Sequence, residues 1–392
     1  MAIPRKVMHI VGARPNFVKV APVLGEMGEF PQFEPMLVHT GQHYDYTMSK
    51  AFFENLELPR PDVYLGIGSG THAEQTARIM IEFEIVCIKE KPELVIVYGD
   101  VNSTLACTIV AAKLGILVAH VEAGLRSFDR DMPEEINRLV TDSLSDYLFT
   151  TCKDANANLR HEGIPENKIY FVGNVMIDTL LGFREKAEQS DILRKLGLVE
   201  KSTRGDYQQA IDYAVLTLHR SSNVDDKECL QHILEAIKVV SSDIPVIFPI
   251  HPRTKKQIEM FAFGEYLHDF SDHKSKAVAV HHGIYSIEPL GYLDFIHLIA
   301  NAKFVLTDSG GLQEETTVLG IPCLTLRDNT ERPVTVVEGT NTIVGTEKVK
   351  IISESAKILD GRGKRGKLPR FWDGKASERI VKVLSTGGKD EL

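Results

Sequence analysis

Three carboxylates, one histidine and one glycine-rich turn are the residues of this chain whose types and spacing suit chemistry. Asp100 follows the apolar run Leu94–Tyr98 and Gly99. Glu122 follows Leu117–Val121. Glu134 lies in Pro133-Glu134-Glu135-Ile136-Asn137-Arg138, which opens a helix. Ligands of open α/β sheets bind at the carboxyl ends of strands, so these positions gather three acids on one rim. Clustered carboxylates repel one another, which raises some of their pKa values and lets an acid and a base coexist near neutral pH. The plainer reading has Asp100 capping a helix and Glu134 pairing with Arg138 one turn on.

Anion-binding features stand at other strand ends. Gly12-Ala13-Arg14-Pro15 follows the first strand, with Lys19 one turn into the next helix. Pro15 suits a first helical turn, and Arg14 and Lys19 bring positive charge to an end that already favours anions. The alternative is an ordinary turn with solvated cations. In the second half, Ala214–Leu218 ends in His219-Arg220-Ser221, and Phe304–Thr307 ends in Asp308-Ser309-Gly310-Gly311. Strand, Ser-Gly-Gly, then helix is a cradle for a diphosphate, because glycines allow close backbone approach to the anion. Glu315, one turn in, is placed to accept hydrogen bonds from ribose hydroxyls. A structural histidine and a tight capped turn are the bland alternatives.

Two runs of alternating strands and helices must position these residues. Val7–Val11, Met36–His39, Leu94–Tyr98, Leu117–Val121 and Tyr147–Thr150 read as strands of the first. Ala214–Leu218, Val246–Ile250, Ala277–Val280, Phe304–Thr307 and Cys323–Leu326 read as strands of the second. Apolar strands separated by amphipathic stretches such as 71–90 and 102–114 indicate parallel sheets covered on both faces. The expected fold is α/β, with two Rossmann-like doubly wound domains facing a central cleft. A polar excursion, Arg184–Asp212, marks the junction. The expected domains are 1–178 and 179–372, with a C-terminal helix in 373–392 packing back on the first. The basic stretch Gly361–Arg370 reads as a solvated loop.

Composition excludes several classes. The chain has 392 residues, 45 Lys plus Arg and 54 Asp plus Glu, a net charge of −9. That argues against a nucleic-acid partner, which needs clustered cations. No apolar run reaches the ~18 residues of a membrane helix, and the start carries no signal-peptide pattern, so the final Lys-Asp-Glu-Leu reads as chance and the location as cytoplasmic. Five scattered cysteines fit a reducing compartment. Gly66-Ile67-Gly68-Ser69-Gly70 lacks the spacing and the downstream acid of a dinucleotide site. His120-Val121-Glu122 resembles a zinc-deaminase element, but Pro322-Cys323 lacks the second cysteine. No metal is expected.

Taken together, nine segments in order resemble the non-hydrolysing UDP-N-acetylglucosamine 2-epimerases: Gly12-Ala13-Arg14-Pro15 with Lys19; His39-Thr40-Gly41-Gln42-His43; Tyr98-Gly99-Asp100; His120 to Arg126; Pro133 to Arg138; Val172-Gly173-Asn174; His219-Arg220; Thr307 to Gly311; and Leu326 to Pro333. The resemblance implies a GT-B-like pair of domains, usually a homodimer, acting without NAD, metal or other cofactor, with a place in polysaccharide biosynthesis. It implies interconversion of UDP-N-acetylglucosamine and UDP-N-acetylmannosamine through 2-acetamidoglucal and bound UDP. Asp100, Glu122 and Glu134 match the family's catalytic positions, with His219 beside them. Arg14, His219 and Ser309-Gly310-Gly311 match diphosphate contacts, and Lys19 another binding position. Phe295 matches a uracil contact, Glu315 the ribose contact, and Arg138 and Arg332 substrate-site cations. By the resemblance, Gln42, His43 and His251 could belong to an allosteric site for a second UDP-sugar, although Ser69-Gly70 stand where members so regulated carry an Arg-Gln pair. His219-Arg220-Ser221-Ser222-Asn223 departs from the family's usual His-Arg-Arg-Glu-Asn, and Val101 from its usual Thr. A UDP-diacetamido-uronic acid epimerase, a hydrolysing epimerase and a catalytically silent nucleotide-sugar sensor are the competing readings. The ending Thr330-Glu331-Arg332-Pro333 favours the N-acetylglucosamine enzyme over the first.

Overall fold

Leu94 to Tyr98 illustrates how this chain builds its sheets: five consecutive apolar residues, each wholly buried, as a central strand covered on both faces requires. The computed structural model describes residues 4–42, 53–199, 210–270 and 282–387. The chain divides into two compact units, Met1–Gly182 with Arg370–Leu392, and Phe183–Pro369. Each is an α/β unit around one parallel sheet.

The first sheet contains β1 (Arg5–Val11), β2 (Phe33–His39), β3 (Val63–Tyr64), β4 (Leu94–Tyr98), β5 (Leu117–Ala123), β6 (Tyr147–Thr150) and β7 (Ile169–Phe171), in the order β3-β2-β1-β4-β5-β6-β7. The second contains β8 (Ala214–Thr217), β9 (Val246–Pro249), β10 (His268–Asp269), β11 (Ile284–Ile287), β12 (Phe304–Thr307), β13 (Cys323–Thr325) and β14 (Asn341–Ile343), in the order β10-β11-β9-β8-β12-β13-β14. Strand order reverses between β1 and β4 in one sheet and between β8 and β12 in the other. Such switch points open a crevice at the strands' carboxyl ends. The short edge strands β3, β7, β10 and β14, and β11, were not anticipated. The expected strand Ala277–Val280 lies outside the described residues.

The C-terminal segment belongs to the first unit. Trp372 is buried and its indole N–H donates to the Thr151 carbonyl at 2.9 Å. Asp178 accepts from the Ala376 and Ser377 amides at 3.1 and 2.7 Å, starting the helix Ala376–Thr386. Arg5 then donates to the Leu384 carbonyl at 3.2 Å near its end. In the second unit, the stretch expected as a solvated loop is exposed for the most part, with one correction. Lys364 is half-buried and its ammonium donates to the Val336 and Asn341 carbonyls; burial pushes its pKa down.

Candidate active site

In the first unit, one side chain ties the two switch-point strands together. Asn16 accepts from the Gly12 and Ala13 amides, both at 3.0 Å, and donates to the Tyr98 carbonyl at 2.8 Å. This fixes the turn that carries half-buried Arg14 against the end of β4. One turn later Lys19, only 4% exposed, forms an ion pair with the equally buried Glu122. Gly99, at φ 64°, makes that possible: a Cβ there would sit 2.7 Å from the Lys19 ammonium and 3.8 Å from the Glu122 carboxylate. Glu122 itself has φ 79°, and the β5–β6 register shifts between Val121 and Ala123. A left-handed non-glycine residue at a strand end is sparsely populated and persists only where its surroundings dictate it.

Asp100 is about a quarter exposed and takes a hydrogen bond from Arg138 at 2.5 Å. Arg138 is buried and also bonds Glu135 at 2.6 and 2.8 Å. Glu135 in turn accepts from the Ser127 and Phe128 amides. The arginine's carboxylate pairings are therefore with Asp100 and Glu135, rather than with the Glu134 of the plainer reading. Glu134 stands half-buried in the first turn of the same helix, Pro133–Leu144. Asp100 does not cap the following helix, whose N-cap is Val101. Asp100 and Glu122 thus each carry a cation instead of opposing one another bare. Gln42 is 8% exposed, and its side-chain carbonyl accepts from the Ser103 amide and hydroxyl at 2.9 and 2.7 Å. His43 lies outside the described residues.

In the second unit, β8 delivers His219 and β12 delivers Asp308, side by side across the switch point. Asp308 is fully buried. It pairs with His219 Nδ1 at 2.8 Å and accepts from the His219 and Arg220 amides at 3.0 and 2.9 Å. Burial alone would raise the Asp308 pKa, but the hydrogen bonds and charge of His219 outweigh it and hold the carboxyl below its ordinary value. The ring of His219 is so oriented while its side chain stays 41% exposed. Ser309 begins the helix Gly310–Leu319 without a side-chain cap, and its own amide donates to the Thr307 hydroxyl at 2.9 Å; the amides that follow, of Gly310 and Gly311, stand at a helix start that favours an anion.

Gly310 answers to a second demand. A Cβ there would meet Arg332 at 2.3 Å and Glu331 at 2.6 Å. The Glu331–Arg332 pair, 2.5 Å apart, lies directly on its backbone. Glu331 is the buried centre of three arginines, with Arg327 at 2.9 Å and Arg220 at 3.5 Å. Burial opposes its ionisation, yet the guanidiniums of Arg332, Arg327 and Arg220 hold its pKa well below the usual range. Arg332 also reaches Glu314 at 3.0 Å. Beside this group Glu315 has its pKa pushed up to about 8, by burial first and by the Glu314 charge second. That shift favours the protonated carboxyl, which can donate as well as accept. Phe295 is half-buried against the unit's core. His251 caps the helix Pro252–Met260 by accepting from the Arg253 amide, and its ring lies 6.2 Å from that of His219.

Asn16, Asp308 and Glu331 were quoted within motifs or passed over, and none was assigned a role. For Asp308 the signal was available: a carboxylate between a strand end and Ser-Gly-Gly, level with Leu218 and so beside His219 in the β8–β12 register. For Asn16 and Glu331 nothing in local spacing points to the partner.

A sequence profile of the UDP-N-acetylglucosamine 2-epimerase family matches residues 26–385. The chain is 46% identical over 387 residues to the UDP-N-acetylglucosamine 2-epimerase of Methanocaldococcus jannaschii, covering 97% of this chain and 99% of that protein. It is 40% identical over 383 residues to the UDP-2,3-diacetamido-2,3-dideoxy-D-glucuronate 2-epimerase of Pseudomonas aeruginosa, with 97% and 99% covered. The crystal structure of the M. jannaschii UDP-GlcNAc 2-epimerase in complex with UDP-GlcNAc and UDP superposes with a TM-score of 0.85 at 46% identity, over 97% of this chain and 100% of that one. Matched nearly end to end at these identities, the chain belongs to the UDP-N-acetylglucosamine 2-epimerase family.

Proposed function

We propose that this protein interconverts UDP-N-acetylglucosamine and UDP-N-acetylmannosamine by eliminating UDP and adding it back. The observation that carries the reading is the switch point of the first sheet. There Asp100 and Glu122 stand with Arg138 and Lys19 as partners, in a chain 46% identical to a named epimerase of this kind. A base takes the proton from carbon 2 while the bond from carbon 1 to UDP breaks. The products, 2-acetamidoglucal and UDP, stay bound. A proton returned to the opposite face of carbon 2, with UDP re-added at carbon 1, gives the epimer. Two faces need two acid/base groups, and Asp100, Glu122 and Glu134 supply them. Net oxidation state is unchanged, so the reading calls on neither NAD nor a metal.

In this reading the departing UDP carries its charge onto His219 and the amides that follow Ser309 in the Ser309-Gly310-Gly311 turn, where fixed donors stabilise it as it develops; Arg14 is the first unit's counterpart by its match to the family's diphosphate contacts. Arg332 is a further cation for it, with Glu315 at the ribose and Phe295 at the uracil. The reading includes a homodimer in the cytoplasm. Ile81, Ile85 and Ile88 form one apolar stripe on the helix His72–Glu90 and are 57 to 60% exposed, which supports a self-association surface. Among the described residues no helix is long and apolar enough to cross a membrane.

A second reading, epimerisation of a UDP-diacetamido-uronic acid, is favoured by the 40% identity to the P. aeruginosa protein. Supplying each UDP-sugar in turn and resolving the epimers by chromatography decides between them. Conversion of UDP-N-acetylglucosamine to a stable mixture of two epimers is the expected result. Conversion of the uronic acid alone establishes the second reading, and conversion of neither refutes both.

A further inference from the structure

Asp142 was part of no motif and has no part in the proposed chemistry, yet it is wholly buried at the last turn of the helix that carries Glu134 and Arg138. Its two oxygens serve different strands. Oδ1 takes a hydrogen bond from His120 Nδ1 at 2.6 Å. The other ring nitrogen, Nε2, donates to the Gly99 carbonyl at 2.8 Å. This arm ends on the residue before Asp100. Oδ2 accepts from the Gly124 amide at 3.0 Å and from Arg126 Nη1 at 2.7 Å. This second arm fastens the chain two residues beyond Glu122, where the backbone is left-handed and the strand register slips.

We infer that Asp142 is a positioning residue, which sets the backbones of Asp100 and Glu122 against the helix bearing Glu134. The inference rests on the proposed roles of those carboxylates. One buried group that reaches both strand ends and sits on the third residue's helix holds all three acids to a common frame. Arg126 closes the frame on the outside through Glu162, at 2.6 and 2.7 Å. Burial opposes the charge on Asp142, but His120 and Arg126 outweigh it and keep the carboxyl below its ordinary pKa. Glu122 in a left-handed conformation needs such a clasp, because relaxation of its φ would move the carboxylate away from its place beside Lys19.

Asp142→Asn keeps the shape and an acceptor for Gly124 or Arg126 but presents an amide to His120. A displacement of about 1 Å at a reacting group can cost on the order of a hundredfold in rate. We therefore expect the turnover of Asp142→Asn to fall by about a hundredfold, with KM and the Kd for UDP alone within about threefold of wild type. The decisive readout is a double-mutant cycle with Glu122→Gln, following deuterium entry at carbon 2 in heavy water. If Asp142 acts through Glu122, the double variant is no slower than Glu122→Gln by more than a few-fold. Effects that multiply in full overturn the inference, as does full-rate exchange by Asp142→Asn. Where Asp142→Asn does not fold, His120→Asn cuts only the arm to Gly99. Its effect is expected to merge with that of Asp100→Asn and to multiply with that of Glu122→Gln, and the reverse pattern overturns the frame. A wild-type protein that exchanges nothing refutes the proposed function, and this inference with it. Exchange by wild type together with undiminished Asp142→Asn refutes the inference alone.

Discussion

At the edge of the first sheet two of the three candidate acids stand beside a cation, Glu122 with Lys19 and Asp100 with Arg138. At the edge of the second, burial pushes the Glu315 pKa up, and two carboxylates held below their ordinary pKa organise other side chains, Asp308 orienting His219 and Glu331 gathering Arg220, Arg327 and Arg332. The backbone differs in the same sense. The first edge places Glu122 in a left-handed conformation; the second offers an uncapped helix start at Ser309. The contrast separates two tasks. Moving protons needs charged groups aimed in fixed directions, and strain is tolerated there. Holding a diphosphate needs donors and cations with no bare carboxylate to repel it.

The sharpest way to break this contrast is to remove acids from the first edge. Glu122→Gln and Asp100→Asn should each lower turnover by ~10²- to 10⁴-fold, the scale of general acid/base groups, with UDP affinity nearly unchanged. Turnover within about tenfold of wild type for both variants contradicts the division of labour. Lys19→Met tests the pairing itself. Left alone, the buried Glu122 charge should destabilise the protein by ~3–5 kcal/mol, read from urea denaturation. A loss below about 1 kcal/mol would mean that Glu122 is not ionised against Lys19.

On the second edge, His219→Ala removes the donor that Asp308 orients. Loss of a charge-assisted hydrogen bond of ~1.5–3 kcal/mol should weaken UDP binding by about tenfold or more. Calorimetry with UDP alone checks it, and an unchanged Kd would leave His219 out of the UDP site. The effects of pH fall on stability and leave the contrast in function itself untouched. His9 is fully buried between Tyr98 and Met27, and burial lowers its pKa to about 3. Between pH 6.5 and 3 the unfolded chain takes up a proton that the folded one refuses, so this group makes stability fall as the pH falls. Glu315 has the opposite sign. Its proton is held up to about pH 8 in the folded state and lost near the ordinary glutamate value when unfolded, so stability falls as pH rises through that window. By linkage each contributes on the order of a few kcal/mol. Glu315→Gln should therefore flatten the decline toward pH 8, and His9→Leu the decline toward pH 3. Curves parallel to wild type would contradict both assignments.

Much of this arrangement was legible from residue order. Strands such as β4 and β12 are unbroken apolar runs ending in Gly-Asp or Asp-Ser-Gly-Gly, and apolar continuity with a chemical residue at the end is a local signal. Asp142 and Glu331 had no such signal. Asp142 meets His120 across 22 positions, and its spacing on the helix marks it only as an inward-facing polar residue. Glu331 looked like the neighbour of a substrate-site arginine, because its meeting with Arg220 depends on β8 and β13 lying on either side of β12. Strand order is a tertiary fact, set by crossover helices, and local pattern does not encode it. The two-residue strands β3 and β10 were missed for a simpler reason: two residues carry no periodicity.

Deuterium entry at carbon 2 tests the central claim most directly. Purified protein is incubated with UDP-N-acetylglucosamine in heavy water and followed by proton NMR. The account predicts that the carbon-2 proton signal disappears from the UDP-N-acetylglucosamine pool and that UDP-N-acetylmannosamine appears deuterated at the same carbon. Epimerisation with the original proton retained, or an unchanged spectrum of a sugar that nonetheless binds, would contradict proton transfer by the carboxylates of the first edge.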